Sequence, residues 1–460
     1  MKNRAFIPCI CAIVASVAVS GCGGTSGSLL KNGRSGQPAS QSSPSPIQHV
    51  VIVVQENRTF NDFFATFPGA DGTTTGRIAK DAACGIPKPE TIPLTKAPLI
   101  TNRDFVHIYK GFETARNHGK DDGFDRASGQ GGPECTAPYQ YTDPLQIQPY
   151  WDMAEQYTLA EHMFTTQGDS SFTAHQDLIA GGTLLPSSNK ALVNFPSCGG
   201  NCFWGCDAQP STTKTSLITL DNKWIPYINK GPFPCMTYET IATLLDNQGI
   251  SWRYYVPPAS KNFGKILSAF DAIHDVRYGP DWKNVVSPET QVLSDAAHGQ
   301  LASVSWVIPD GPDSDHPGKG TDRGPSWVAS VVNAIGESTY WNSTAIIIIW
   351  DDWGGLYDNL DPPQMGYGGL GFRVPAIIVS PYARAGYIST TQYEFGSILK
   401  FVEDNWNLGS LGTSDARAAS IIDCFDYYQA PIQFKPIVSQ YDQAYFLHKQ
   451  PSYAPPDSDF

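Results

Sequence analysis

Gln48-His49-Val50-Val51-Ile52-Val53-Val54-Gln55-Glu56-Asn57-Arg58-Thr59-Phe60 is the stretch that decides how this chain folds. Val50 to Val54 is an unbroken β-branched run, the composition of a strand covered on both faces in a parallel sheet. In open α/β sheets ligands bind just beyond the carboxyl ends of such strands, and Glu56 and Asn57 stand there. The plainer reading makes Asn57 a helix cap and leaves Glu56 solvated.

The grammar recurs at Thr344-Ala345-Ile346-Ile347-Ile348-Ile349-Trp350-Asp351-Asp352, where a wholly apolar run discharges two adjacent carboxylates into the Gly354-Gly355 turn. Two strand ends then offer three carboxylates and an amide. Oxygen donors of this kind suit a hard or borderline divalent cation, and adjacent carboxylates repel when neither metal nor proton lies between them. A solvated Asp-Asp pair in a loop is the competing reading, made weaker by the apolar strand beside it.

Working outward, helical and strand patterns alternate. Pro149 to Tyr157, Thr237 to Gln248, Ser326 to Ile335 and Glu394 to Trp406 carry helical stripes or start and stop signals. Ser251 to Val256, Ser303 to Ile308 and Val374 to Val379 are short β-rich runs. Alternation is the α/β signature. The segment Thr66 to Tyr141, rich in Pro, Gly and Asp, reads as a long irregular insertion of the kind that is usually functional.

The N-terminus follows another logic. Lys2 and Arg4 precede an apolar run from Ala5 to Val19, followed by Val19-Ser20-Gly21-Cys22. This resembles a lipoprotein signal, with residues 1–21 removed and Cys22 lipidated. Residues 22–46, rich in Gly, Ser, Pro and Gln, read as a flexible tether, and residues 47–460 as a single catalytic domain. The expected location is the cell envelope, periplasmic or tethered at the outer membrane or surface. Seven cysteines follow Cys22, which in an exported chain means up to three disulfides and one leftover thiol. Cys198, Cys202 and Cys206 are assigned to disulfides rather than zinc, because their spacing does not match structural zinc knuckles. Charged residues make up 16% of the chain with a formal balance of −13, and no dense basic block is present, so a nucleic-acid partner is not expected.

A nucleophile is offered by Gln167-Gly168-Asp169-Ser170-Ser171-Phe172-Thr173-Ala174-His175, a loop feeding a helix whose first turn favours an anion. Serine there attacks when a metal lowers its pKa, but serine is also a favoured helix cap. Asp310-Gly311-Pro312-Asp313-Ser314-Asp315-His316 places His316 in an acidic loop that would raise its basicity and suit it to serve a leaving group.

Taken in order, Gln55-Glu56-Asn57-Arg58-Thr59-Phe60, Asp104 with His107, Asn117 to Phe124, Pro149-Tyr150-Trp151-Asp152, Ser171-Phe172, Asp315-His316-Pro317, Trp350-Asp351-Asp352 and Gly371-Phe372-Arg373-Val374-Pro375 resemble the bacterial phosphoesterase family of non-specific phospholipases C and respiratory-burst-inhibiting acid phosphatases. The resemblance implies an alkaline-phosphatase-like fold, a central mostly parallel sheet sandwiched by helices. It also implies Glu56, Asn57, Asp351 and Asp352 as ligands of a divalent metal ion, Ser171 as nucleophile, and His107 and His316 at the phosphate site. Phospholipase C members commonly read Asp-Glu-His-Gly-Gly and then Asp-His-Val. Here Trp353 and Asn359 replace the two histidines, which opens the question of the leaving-group acid.

The expectation is an exported hydrolase of phosphoric esters, phospholipids among the candidate substrates, working through a phosphoseryl intermediate. Two rivals accompany it. One is a GDSL-type carboxylic ester hydrolase, suggested by Gly168-Asp169-Ser170-Ser171. The other is a lipoprotein on the same scaffold that binds without catalysis.

Overall fold

The apolar runs form the centre of one eight-stranded sheet. We label its strands in chain order: β1 His49–Gln55, β2 Thr158–Ala160, β3 Trp252–Tyr255, β4 Val285–Val286, β5 Val304–Val307, β6 Thr344–Trp350, β7 Ala376–Val379 and β8 Tyr387–Ser389. Across the sheet they run β4, β3, β5, β1, β6, β7, β2, β8. β7 is antiparallel to both neighbours; all other pairs are parallel. The computed structural model describes residues 45–129, 132–185, 188–197, 205–208, 210, 214–225, 231–258 and 268–453. Residues from Ser45 onward form one compact unit. The expected signal segment, the expected lipidation position Cys22 and the expected tether before Ser45 all lie outside the described residues.

Strands β1 and β6 are buried along almost their whole length, because helices cover both faces. Gln148–Gln156, Gly324–Gly336 and Gln443–His448 pack together as one group, and Ser171–Ala180, Ile241–Asn247 and Phe395–Trp406 as another. This is the mostly parallel α/β sandwich that the alternation predicts. One helix begins later than its sequence suggests: it starts at Ile241 with Thr240 in the cap position, not at Thr237. The Met236 N–H donates to the Ala272 carbonyl (2.7 Å) and the His274 N–H to the Met236 carbonyl (2.8 Å), so a tertiary pairing holds that backbone extended.

The Thr66 to Tyr141 insertion is more ordered than its composition implies. It contains the pairs Thr75–Ile78 with Glu90–Pro93 and Thr95–Ala97 with Gln140–Thr142, and the helix Tyr109–Arg116. Its aromatic residues join a second core in which Phe124, Tyr139, Trp353, Tyr357 and Phe372 are buried together. Disulfides link Cys84 to Cys135 and Cys206 to Cys235, which removes Cys206 from any zinc set. Cys424 is a buried free thiol whose pKa burial pushes up to about 12. Cys198 and Cys202 lie outside the described residues.

Candidate active site

Register creates the site. Gln55 pairs with Trp350 across β1 and β6, so Glu56-Asn57 and Asp351-Asp352 emerge side by side from adjacent parallel strands. All of these side chains are fully buried. Asn57 is held in the left-handed region (φ 58°); its backbone N–H donates to Asp351 Oδ1 (3.0 Å), and its Nδ2 donates to Asp352 Oδ1 and Oδ2 (3.1 and 3.3 Å). The turn that follows requires glycine: a Cβ on Gly354 would stand 2.1 Å from the Asn57 carbonyl oxygen.

Ser171 is the first residue of a ten-residue helix, with Ser170 in the cap position, and Ser170 makes no capping hydrogen bond. The Ser171 hydroxyl instead donates to Asp352 Oδ2 at 3.2 Å. The helix start thus faces the carboxylates, with its positive dipole end toward them.

His175, one turn further along the same helix, escaped the sequence reading. Its Nε2 lies 3.4 Å from Glu56 Oε1 and 3.7 Å from Asp351 Oδ2, and its Nδ1 lies 3.3 Å from the Tyr254 hydroxyl. Burial drives the Tyr254 phenol well above its ordinary pKa, so it remains a hydroxyl. The signal was the i, i+4 spacing from Ser171, which puts both side chains on one helix face.

Glu56, His175 and Asp351 present donor atoms within 4.8 Å of one another. Asn57 Oδ1 and Asp351 Oδ2 are buried without a hydrogen bond, though a buried polar atom normally has one. Three carboxylates sealed from water cost several kcal/mol each unless a cation or proton joins them. The donor set therefore fits a divalent metal ion.

His107 and His316 face one another with ring centroids 5.8 Å apart, and with Asp104 they form another close donor group. His107 Nδ1 lies 2.6 Å from the Phe105 carbonyl oxygen and His316 Nδ1 lies 2.7 Å from that of Pro317. A carbonyl only accepts, so each Nδ1 carries the proton and Nε2 is the nitrogen that exchanges one. Asp315, the acid next to His316 in that loop, is itself buried. That carboxylate accepts from Tyr150 (2.7 Å) and Trp350 (3.0 Å), and its burial pushes its pKa up to about 7.

The flanking motif residues hold this geometry. Gln55 accepts from the Asp315 N–H (3.2 Å), and Arg58 donates to the Asp315 carbonyl (2.7 Å), the Leu99 carbonyl (2.8 Å) and Asp62 (3.0 Å). The two departures from the phospholipase C pattern also acquire places. Trp353 packs against Phe124 and Phe372 and donates its Nε1–H to the His107 carbonyl (3.1 Å). Asn359 accepts from Arg373 (2.7 Å), whose guanidinium also pairs with Asp358 (2.9 Å).

A mostly parallel sheet with carboxylates, an amide and a serine gathered at its strand ends is the frame of a hydrolytic enzyme. The Phosphoesterase family profile matches residues 47–409, and the chain belongs to that family, whose members hydrolyse phosphoric esters. Phospholipase C A of Mycobacterium tuberculosis is 22% identical, covering 85% of this chain and 80% of its own length. The hemolytic phospholipase C of Pseudomonas aeruginosa is 23% identical over 84% of this chain and 56% of its own length. Among solved structures, a protein of the alkaline phosphatase superfamily from Vibrio parahaemolyticus is similar with a TM-score of 0.37 and 12% identity, covering 84% of this chain and 75% of that one.

Proposed function

We propose that this protein is an exported phosphoric ester hydrolase of phospholipase C or acid phosphatase type that works through a serine nucleophile. The observation that carries the reading is Ser171 Oγ at 3.2 Å from Asp352, at a helix start and beside buried carboxylates. Ser171 Oγ forms a bond to phosphorus while the bond to the leaving oxygen breaks. Asp352 orients the hydroxyl and marks the direction in which its proton departs. His316 or His107, protonated at Nε2, supplies a hydrogen bond or proton to the leaving oxygen. Water then attacks phosphorus and releases Ser171.

Glu56, Asn57, Asp351 and Asp352 would hold a divalent metal, which when bound lowers the pKa of the hydroxyl and neutralises phosphoryl charge. Family membership sets aside the GDSL-type reading. The names of the relatives support a phospholipid among the substrates, with phosphomonoesters the other class. Placement in the cell envelope through lipidated Cys22 is supported by the N-terminal sequence. Among the described residues no helix is long and apolar enough to cross a membrane.

The test is a panel of nitrophenyl phosphate and nitrophenyl phosphocholine, with and without divalent metals, on wild type and Ser171→Ala. Wild type should cleave at least one substrate in a metal-dependent manner, and the variant should lose on the order of 10³-fold or more. Cleavage of neither substrate would overturn the reading and leave the binding lipoprotein standing, whereas full turnover by the variant would overturn the assignment of Ser171 as nucleophile.

A further inference from the structure

We propose that His175 is a direct ligand of the metal ion, through Nε2 and together with Glu56 and Asp351, and that it biases the site toward a borderline ion of the zinc class over magnesium or calcium. The inference rests on the metal-dependent reading above and adds a nitrogen donor to a set otherwise made of oxygen.

The distances carry the argument. An imidazolium serving only as counter-ion to two carboxylates would close to about 2.7–2.9 Å. His175 Nε2 instead stands 3.4 Å from Glu56 and 3.7 Å from Asp351. Two donors each about 2.0–2.2 Å from one ion are separated by about 2.8–3.1 Å at right angles in its shell and by about 3.5–3.8 Å at about 120°. The spacings of 3.4 and 3.7 Å fall within that range, whereas 3.4 Å makes only a long hydrogen bond to Glu56.

The outer contact points the same way. Ligating histidines tie their other ring nitrogen to an oxygen partner, which fixes the tautomer. Here Nδ1 meets the Tyr254 hydroxyl at 3.3 Å, and the Ala269 N–H donates to that same oxygen at 3.4 Å. An Nδ1–H directed at Tyr254 puts the Nε2 lone pair on the side of Glu56 and Asp351. Tyr254 lies on β3 and Ser171 shares the helix with His175, so helix and sheet together hold the ring. Carboxylates and carbonyls alone suit magnesium, calcium and manganese, whereas imidazole favours zinc, iron, nickel or copper. A nitrogen in the shell thus changes which ion the site prefers.

The experiment uses the full protein stripped with a chelator and titrated separately with zinc, magnesium and calcium, for wild type, His175→Ala and His175→Gln. Circular dichroism first establishes that each is folded. Wild type should bind zinc tighter than magnesium or calcium. His175→Ala should weaken zinc binding by more than the roughly 10- to 100-fold that losing an outer-shell partner costs, while changing magnesium and calcium much less. The visible spectrum of cobalt-loaded protein should also change on losing the nitrogen donor, in both variants. His107→Ala, run alongside, identifies any zinc bound by the separate Asp104, His107 and His316 group. Unchanged zinc affinity and an unchanged cobalt spectrum in folded His175 variants would overturn the assignment and leave metal-dependent hydrolysis intact. Wild-type protein that binds no divalent ion would instead overturn the functional reading on which it rests.

Discussion

Two buried acidic clusters stand at the same end of the central sheet and are satisfied in different ways. Glu289, Asp310 and Asp313, which follow β4 and β5, close around a cation that the chain itself supplies. Lys449 Nζ lies 2.7 Å from Asp310 and 3.6 Å from Glu289 and also contacts Asp313, while Arg323 reaches Asp313 at 3.0 Å. Glu56, Asp351 and Asp352, which follow β1 and β6, meet an amide, a hydroxyl and an imidazole. Both groups of carboxylates are buried, so burial alone does not mark a functional site. What separates them is the partner: the first cluster is a clasp for the C-terminal helix Gln443–His448, and the second, on the function proposed above, takes its cation from outside the chain.

The sharpest way to break that contrast is one substitution in each cluster. Asp351→Asn should cut turnover by about 10²–10³-fold, with melting unchanged or raised, because it removes one of several crowded like charges. Lys449→Ala should do the reverse. It leaves the buried Asp310 and Glu289 without their cation, Arg323 remaining on Asp313, at a cost of about 3 kcal/mol or more, while kcat/KM at low temperature stays near wild type. Turnover assays and thermal melts on both proteins decide the matter. A Lys449 variant that melts normally, or an Asp351 variant that turns over normally, would show the clusters to be alike.

The legibility of the two clusters in the sequence differed for a physical reason. β1 and β6 announce themselves because a strand buried on both faces has no polar position, and the polar residues after each run therefore stand out. Their adjacency, with Gln55 opposite Trp350, depends on sheet order, which no local pattern encodes. His175 shares its segment with Ser171 but carries no local signal of its own, since its place depends on Glu56, distant in sequence, coming within 3.4 Å. Lys449 offered no signal at all in a polar tail. The Asp310 to His316 loop reads as an acidic setting for a histidine, yet its Asp315 is buried beneath Tyr150 and Trp350, which no local pattern encodes.

That loop links the two clusters and sharpens the comparison through pH. Burial pushes Asp315 and Glu289 up to about 7 and Asp313 up to about 6. Each folded-state value exceeds that of an unfolded carboxylate, so the folded protein holds protons that the unfolded chain has released. The resulting stability is complete below about pH 4 and is lost as pH rises through about 6 to 7. Each such group contributes a slope of up to about 1.4 kcal/mol per pH unit. Denaturation midpoints from pH 4 to 8 should therefore decline from these groups, and Asp315→Asn should remove one proton's share of the slope. An identical slope in the variant would mean that Asp315 is ionised throughout.

The smallest expected effect concerns Asn359, where phospholipase C relatives commonly carry histidine. Its Oδ1 accepts from Arg373 at 2.7 Å and its Nδ2 donates to the Asp71 carbonyl at 3.4 Å. Arg373 in turn holds Asp358 and lies over the Phe60 ring, 4.7 Å from its centroid. The segment is thus a brace between the first strand's exit and the Gly371 to Pro375 motif, made of a buried Arg–Asp pair with Asn359 as its outermost contact. Removing that contact leaves Arg373 its bond to Asp358, so Asn359→Ala should cost only about 1 kcal/mol in stability. It should leave kcat/KM within about twofold, because nothing in this geometry ties the amide to Ser171. Asn359→His should likewise leave the rate unchanged if His107 and His316 serve the leaving group. Should Asn359→His instead raise the rate tenfold on a substrate with a poor leaving group, the brace would have to be counted as part of the site, and the line between clasp and catalytic cluster would move with it.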